Sequence, residues 1–228
     1  SEYLTLEGRK ISTSRNWAVW ARELLDRYQP DAIRFYLMAN GPEKRDADFT
    51  WGEFIRSVNG ELVGAYGNLA QRTLAFIHRY LDGRIPQGSM DGDQRRQWEL
   101  RFAEVGTAIR ELRFKEALDR IFEEVRQANR LFDAQQPWIT RTTDPAACGD
   151  TLYLCVQTVA NLSVLLRPFL PFSSERLASD LGLRADWHPQ EAEPGRVLPE
   201  PLPLFERIPR TAETEERARL SHMKAQEA

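Results

Sequence analysis

A long amphipathic pattern between residues 50 and 82 limits the possible folds of this 228-residue chain more than any other feature. Thr50 and Glu53 have the spacing of a capping box, in which each side chain bonds a backbone amide at a helix start. One stripe then recurs at steps of three or four: Ile55, Val58, Leu62, Tyr66, Leu69, Thr73, Phe76 and Tyr80. We predict a helix from there to about Asp82, ended by Gly83, with one side buried against other helices.

Further amphipathic segments follow at residues 94–111, 115–133, 150–166 and 173–181. The segment at 150–166 is the most apolar, so it should be the central helix. Because the connections are short, we predict an antiparallel helical bundle over residues 58–181.

The chain before the bundle has a different pattern. Residues 3–6 alternate and end at Glu7-Gly8, which predicts a short strand and a turn. Residues 17–28 can form a helix, and Asp31 is a candidate N-cap for another at 32–38. Trp17 and Trp20 should pack this first helix against its neighbours.

The predicted fold class is mainly α. A strand–loop–helix connector at residues 1–57 precedes the bundle, and a Pro-rich return segment with a charged tail occupies residues 182–228. Within the last part, residues 202–208 could form an extended strand. Residues 211–228 are charged and low in large apolar side chains, which predicts a frayed helix or disorder.

Composition excludes several function classes. The formal net charge of −3 excludes a chain that is strongly basic throughout, although a local basic patch stays possible. Cys148 and Cys155 have neither a metal-ligand spacing nor a disulfide framework, which favours a reducing cytoplasm and no metal site. The longest apolar run, at residues 159–170, is too short and too interrupted to span a bilayer, so no membrane partner is expected.

A Gly-led loop at residues 8–16 carries the first candidate chemistry. Lys10 supplies a point charge, and neighbouring hydroxyls supply donors that could bind a phosphate: Ser12, Thr13 and Ser14. The alternative from composition alone is a solvated Ser/Thr turn.

Lys10-Ile11-Ser12-Thr13-Ser14, with the preceding strand and the downstream segment 30–37, resembles the signature loop of class I aminoacyl-tRNA synthetases. That family's loop reads Lys-Met-Ser-Lys-Ser and holds the ATP pyrophosphate, which implies that Lys10, Ser12, Thr13 and Ser14 form an ATP phosphate loop. Thr13 stands where the family usually has its second lysine. Arg9 or Arg15 could supply that charge instead. Mg²⁺ would accompany the ATP.

Residues 67–72 and 135–138 resemble the anticodon-binding helices of methionyl-tRNA synthetases. The resemblance implies that Asn68, Arg72 and Trp138 recognise the CAU anticodon. An amide and a guanidinium four residues apart can read base edges, and an indole can stack on a splayed base. Gly64, Ala65 and Gly67 would leave room for a base to approach.

From the residues alone, each of the three has another interpretation. Asn68 could be a helix-surface residue, Arg72 a salt-bridge partner, and Trp138 a plug in the core. His78 is interpreted as a surface or satisfied histidine rather than a catalytic one. Asp46 and Asp48 are interpreted as part of a charged linker, not as a catalytic carboxylate pair.

The resemblance implies the C-terminal part of a methionyl-tRNA synthetase, which attaches methionine to tRNA(Met) with ATP. Expected partners are the tRNA(Met) anticodon stem-loop and an N-terminal catalytic domain that this chain lacks. DNA is not expected to be a partner. Without that domain we expect the chain to be inactive. The alternatives are a stand-alone synthetase-derived RNA-binding or scaffold protein, and another class I synthetase of the cysteinyl or leucyl type.

Overall fold

The structure, a computed structural model, describes residues 2–225 and the side chains of residues 2–220. It is mainly helical, as predicted, and it also contains one small sheet. The strands are β1 Leu4–Leu6, β2 Arg9–Lys10 and β3 Ala47–Phe49. The helices are α1 Ala21–Leu25, α2 Pro30–Asn40, α3 Trp51–Ser57, α4 Asn68–Tyr80, α5 Gly92–Arg110, α6 Phe114–Gln135, α7 Pro137–Thr143, α8 Pro145–Leu166, α9 Pro171–Leu181 and α10 Thr211–Ala225.

The sheet has the order β2-β1-β3. β1 pairs antiparallel with β2 through a tight hairpin and parallel with β3, so that Leu6 is opposite both Arg9 and Phe49. β3 lies in the segment that was predicted to be a charged linker. Its polar side chains hid a strand whose buried residue is Phe49.

An aromatic cluster forms the core of the connector. Five rings pack with centroids 5.1–6.1 Å apart, mostly edge to face: Tyr28, Tyr36, Phe49, Trp51 and Phe54. Such edge-to-face contacts stabilise the fold beyond the burial of apolar area alone. Because Phe49 of β3 belongs to this cluster, the cluster anchors the short sheet to the rest of the connector.

Two predictions for the first helices are wrong. A helix was predicted over residues 17–28, but the structure has only the shorter α1. Trp20 lies just before α1 and is 55% exposed, so it does not pack the helix against its neighbours. Asp31 does not cap α2. Its carboxylate accepts hydrogen bonds from the Ser173 amide and hydroxyl, both at 2.7 Å, and so caps α9 instead. This buried carboxylate ties the connector to the bundle.

The long helix predicted after Thr50 is present as a continuous rod of α3, a π-helical stretch at Val58–Gly67 (the π segment) and α4. Thr50 caps it by accepting from the Glu53 amide at 3.2 Å, while the Glu53 carboxylate accepts from the Tyr36 hydroxyl. The proposed boundary at residue 58 falls inside this rod. The division into three domains stays a prediction.

α8 is the central helix of the bundle, as its composition predicts. It packs against α4, α6, α7 and α9, and most of its side chains are buried. The short turn at residues 111–113 requires the packed helices α5 and α6 to run antiparallel. α7 was not predicted. Pro137 follows α6 directly, and it is the first residue of α7, a position that proline favours.

The return segment is held by side-chain amides and by an antiparallel backbone bridge between Arg84 and Val197. Three side-chain amides each make two hydrogen bonds with the backbone of a single residue: they donate to its carbonyl and accept from its N–H, at 2.8–3.0 Å. The pairs are Asn59 with Ile208, Gln157 with Ala192, and Asn161 with Gln190. Residues 202–208 are therefore not the strand predicted, because the bundle satisfies part of their backbone without a partner strand.

The tail is a helix, α10, that packs on α3. Its Glu216 is buried and accepts from the Arg27 guanidinium at 2.7 and 3.1 Å and from the Tyr28 hydroxyl at 2.9 Å. The prediction of a frayed helix or disorder also covers residues 226–228, which lie outside the described residues.

Candidate functional site

The Ser/Thr-rich loop at residues 8–16, here called the signature loop, begins at a turn that Asp48 fixes. Glu7 and Gly8 both have positive φ, 49° and 73°, as a two-residue type I′ hairpin requires. The Gly8 amide donates to both Asp48 carboxylate oxygens at 2.9 Å, and the Thr5 hydroxyl donates to the same group at 2.6 Å. Asp48 is thus a structural anchor that the sequence analysis missed.

The loop closes on itself. Ser12 and Trp17 exchange two backbone hydrogen bonds of 2.9 Å, and residues Thr13–Arg15 form one 3₁₀ turn between them. The hydroxyls of Ser12 and Ser14 lie 3.2 Å apart. Lys10, Thr13 and Ser14 are exposed, which leaves a cation and hydroxyl donors at the tip. That donor set fits a phosphate ligand.

Of the two arginines that could replace the absent lysine charge, Arg9 is already engaged. Its guanidinium lies 4.7 Å from the Trp17 ring centroid, and the Trp17 indole N–H donates to the Leu6 carbonyl at 2.9 Å. Arg15 is exposed and, among the residues that the structure describes, has no carboxylate within 4.0 Å. Arg15 is therefore the freer cation.

The second candidate site lies on α4, where the π segment ends. The backbone N–H of Asn68 still donates to the Val63 carbonyl, five residues back. The Asn68 side chain is exposed. Wide turns of this kind recur at functional sites. The expected space beside Gly67 is filled, since a Cβ there would lie 3.2 Å from the Phe205 ring. Gly64 is exposed.

Arg72 lies one turn further along α4 and is half-buried. Its guanidinium stacks 3.9 Å from the Phe132 ring centroid and bonds the Asp133 carboxylate at 2.5 Å. The salt-bridge interpretation of Arg72 therefore holds in this structure. The stack on Phe132 fixes the plane of the guanidinium fork.

Trp138 is on the first turn of α7 and is 44% exposed, so it is not a core plug. One face of the indole approaches Phe132, with centroids 6.3 Å apart and an interplanar angle of 32°. An indole supported from beneath and open to solvent has the properties of a base-stacking platform.

The structure therefore brings Arg72 and Trp138 together on Phe132, with Asn68 on the turn before Arg72. Phe132 was missed, although it continues the buried stripe of α6 beyond Ala128. We call Asn68, Arg72, Phe132 and Trp138 the α4–α7 surface.

The two cysteines are structural. Both are buried and free. Burial raises the pKa of the Cys148 thiol and raises the pKa of Cys155 to about 12. No cluster of metal-ligating side chains occurs within the described part of the chain.

Comparisons with known proteins identify the family and the fold. Residues 1–74 match the family model of class I tRNA synthetases (M). The chain is 51% identical over 209 residues to methionine–tRNA ligases of Bacillus mycoides (strain KBAB4) and Bacillus cereus (strain B4264). The match covers 91% of this chain and 38% of each relative, so the chain spans well under half of their length.

Solved structures show the same fold. The methionyl-tRNA synthetase of Mycobacterium tuberculosis bound by methionyl-adenylate superposes with a TM-score of 0.80 at 25% identity, covering 90% of this chain and 43% of that one. Its free-state structure gives a TM-score of 0.75 at 26% identity over 84% and 41% of the two chains. Within the described residues, no helix combines the length and apolarity needed to cross a bilayer. By sequence and by fold, the chain belongs to the methionyl-tRNA synthetase family.

Proposed function

We propose that this chain is the part of a methionyl-tRNA synthetase that binds the CAU anticodon of tRNA(Met). The observation that carries the proposal is the junction at Phe132. Arg72 and Trp138 are far apart in sequence, yet both pack on this one ring.

Each side chain of the surface has a separate role in this proposal. Trp138 stacks on a base that leaves the loop stack, because its free face is open to solvent. Arg72 and Asn68 donate to base edges. Arg72 must first exchange its bond with the Asp133 carboxylate for one with the base. The stack on Phe132 holds the guanidinium in place during that exchange.

We also propose that the signature loop binds the ATP phosphates in the whole enzyme. Lys10 supplies charge, and Ser12, Thr13 and Ser14 supply hydroxyl donors. Arg15 takes the part of the second cation, since it is exposed without a counter-ion among the described residues. ATP would bring Mg²⁺, to which we assign no ligand in this chain.

The partner of this loop would be the catalytic part of the longer relatives. Four large apolar side chains within the first 25 residues are more than 40% exposed, which suits a surface that another domain covers: Tyr3, Ile11, Trp20 and Leu25. We therefore propose that these 228 residues alone do not activate methionine. ATP–pyrophosphate exchange with methionine, measured on the chain alone, should equal the blank. Turnover above the blank would contradict this. The enzyme would act in the cytoplasm, where translation occurs.

The anticodon proposal is tested by binding. We expect the chain to bind a stem-loop with a CAU anticodon more tightly than the same stem-loop with its first anticodon base changed. Fluorescence anisotropy at one salt concentration measures both affinities. Equal affinities would refute anticodon reading while leaving the family assignment untouched.

A further inference from the structure

The surface that carries Arg72 and Trp138 continues to a second group of ring and cations at Tyr80. Tyr80 is the last residue of α4 and is 39% exposed. The Arg141 guanidinium, from α7, lies 4.5 Å from its ring centroid, and the Arg79 guanidinium lies 5.2 Å from it. Two guanidinium groups thus meet on one solvent-facing ring.

This group is physically continuous with the α4–α7 surface. The Phe76 ring packs on Tyr80 at 4.6 Å and on Phe132 at 6.4 Å, between centroids. Asn68, Arg72, Phe76 and Tyr80 recur at every fourth residue, so they follow one ridge of α4 over about 18 Å. On α7, Trp138 and Arg141 are three residues apart and share a face. A ridge of this length has room for more than one nucleotide.

The cations at the Tyr80 end differ from Arg72 in their charge balance. Arg72 is neutralised by Asp133. Arg79 and Arg141 are exposed, and no carboxylate of the described residues lies within 4.0 Å of either one. Guanidinium groups held on a ring and left without a counter-ion can bind phosphate oxygens in a fork. Positive charge here stands out in a chain whose formal net charge is −3.

We propose that Tyr80, Arg79 and Arg141 form a phosphate-binding end of the RNA surface. Arg79 and Arg141 bind phosphodiester oxygens of the strand that flanks the anticodon. The Tyr80 ring positions both guanidinium groups. This inference rests on the proposed function, but its contacts are independent of base sequence, because phosphate contacts set register and affinity and base contacts set specificity.

The test is the salt dependence of binding, measured with the whole chain. The dissociation constants of the CAU stem-loop and of its first-base variant are measured over a series of KCl concentrations. Arg141→Gln and Arg79→Gln should each weaken both RNAs by the same factor and lower the slope of log affinity against log salt by about 1. Arg96→Gln is the matched control and should leave the slope unchanged. Arg96 is exposed on α5, and no carboxylate in the described part of the chain lies within 4.0 Å of it.

The outcomes separate the two proposals. If the chain discriminates between the RNAs but neither arginine variant changes the slope, the phosphate-binding end is wrong and anticodon reading stands. If the chain does not discriminate but both variants lower the slope, anticodon reading fails and phosphate binding stands. Circular dichroism melting of each variant verifies folding, and two separate arginine variants guard against one of them unfolding.

Discussion

At the scale of single residues, the proposed anticodon contacts depend on one buried ring, Phe132. It is 3% exposed, so it cannot contact RNA, but it supports both Arg72 and Trp138 from beneath. Because two side chains that would contact RNA share one support, a change at Phe132 should affect both of them. The contacting residues and the supporting residue are therefore distinguishable by mutation.

Replacing Trp138 with alanine should weaken binding of the CAU stem-loop by about 1–3 kcal/mol, the usual worth of one base–aromatic stack. The fold should survive, because much of this indole is already in water. Trp20→Ala is the control: it removes another exposed indole, from the connector, and should leave the affinity unchanged. A large fall in the melting temperature of Trp138→Ala would instead indicate a packing role.

The sequence identified Asn68, Arg72 and Trp138 as candidates, but it did not predict which neighbouring side chains each one contacts. The ion pair of Arg72 depends on Asp133, which comes from a different helix, and no local pattern reports such a pair. Asp48 was misread for a similar reason. Its partners, Thr5 and Gly8, are about forty residues away in the chain.

At the scale of elements, two features organise the molecule: the π segment and α10. The π segment adds wide turns just before Asn68, which rotates the following helix relative to a regular α-helix. The sequence predicted an ordinary α-helix here, because its apolar residues recur three or four positions apart. That spacing does not reveal hydrogen bonds between residues five apart. α10 then closes the connector by burying Glu216 against it.

Glu216→Ala should destabilise the chain by about 2–3 kcal/mol, because it leaves the Arg27 guanidinium and the buried Tyr28 hydroxyl without their acceptor. Urea unfolding followed by circular dichroism measures the loss. Glu215→Ala changes an exposed neighbour on the same helix and should stay within about 0.5 kcal/mol of the parent. Equal stability of the two variants would show that α10 does not depend on this buried carboxylate.

The helices of the bundle were predictable because each has a clear apolar stripe. The order of the return segment was not, because it depends on amides of Asn59, Gln157 and Asn161, which the sequence presents as ordinary polar residues within helices. α7 was also hidden, since Pro137 both follows one helix and starts the next.

At the scale of the whole molecule, connector and bundle are joined by polar side chains as well as apolar ones. Asp31 caps α9, and the Arg34 guanidinium donates to the carbonyls of Pro168 and Phe169 at 2.8 and 3.0 Å. Because these groups tie the start of the chain to the bundle, the signature loop is carried on a frame continuous with the α4–α7 surface.

The chain should lose stability at high pH. Burial raises the pKa of Tyr36 from 10.0 to about 12, and burial also raises the pKa values of Tyr28, Tyr66 and Cys155. Groups with raised pKa values favour the folded state below their unfolded pKa. That stabilisation is lost as the pH rises from about 10 through about 12. Urea midpoints measured at increasing pH should fall across this range. A constant midpoint there would show that these groups are solvated.

Anticodon discrimination by Arg72→Gln tests whether this arginine contacts the first anticodon base. The quantity is the ratio of dissociation constants for the first-base variant and the CAU stem-loop. A bidentate base contact is worth about 1–3 kcal/mol, roughly five- to 150-fold, so we predict such a ratio for the chain and a ratio near unity for Arg72→Gln. A ratio that Arg72→Gln leaves unchanged would contradict the central claim that this arginine, held on Phe132, reads the anticodon.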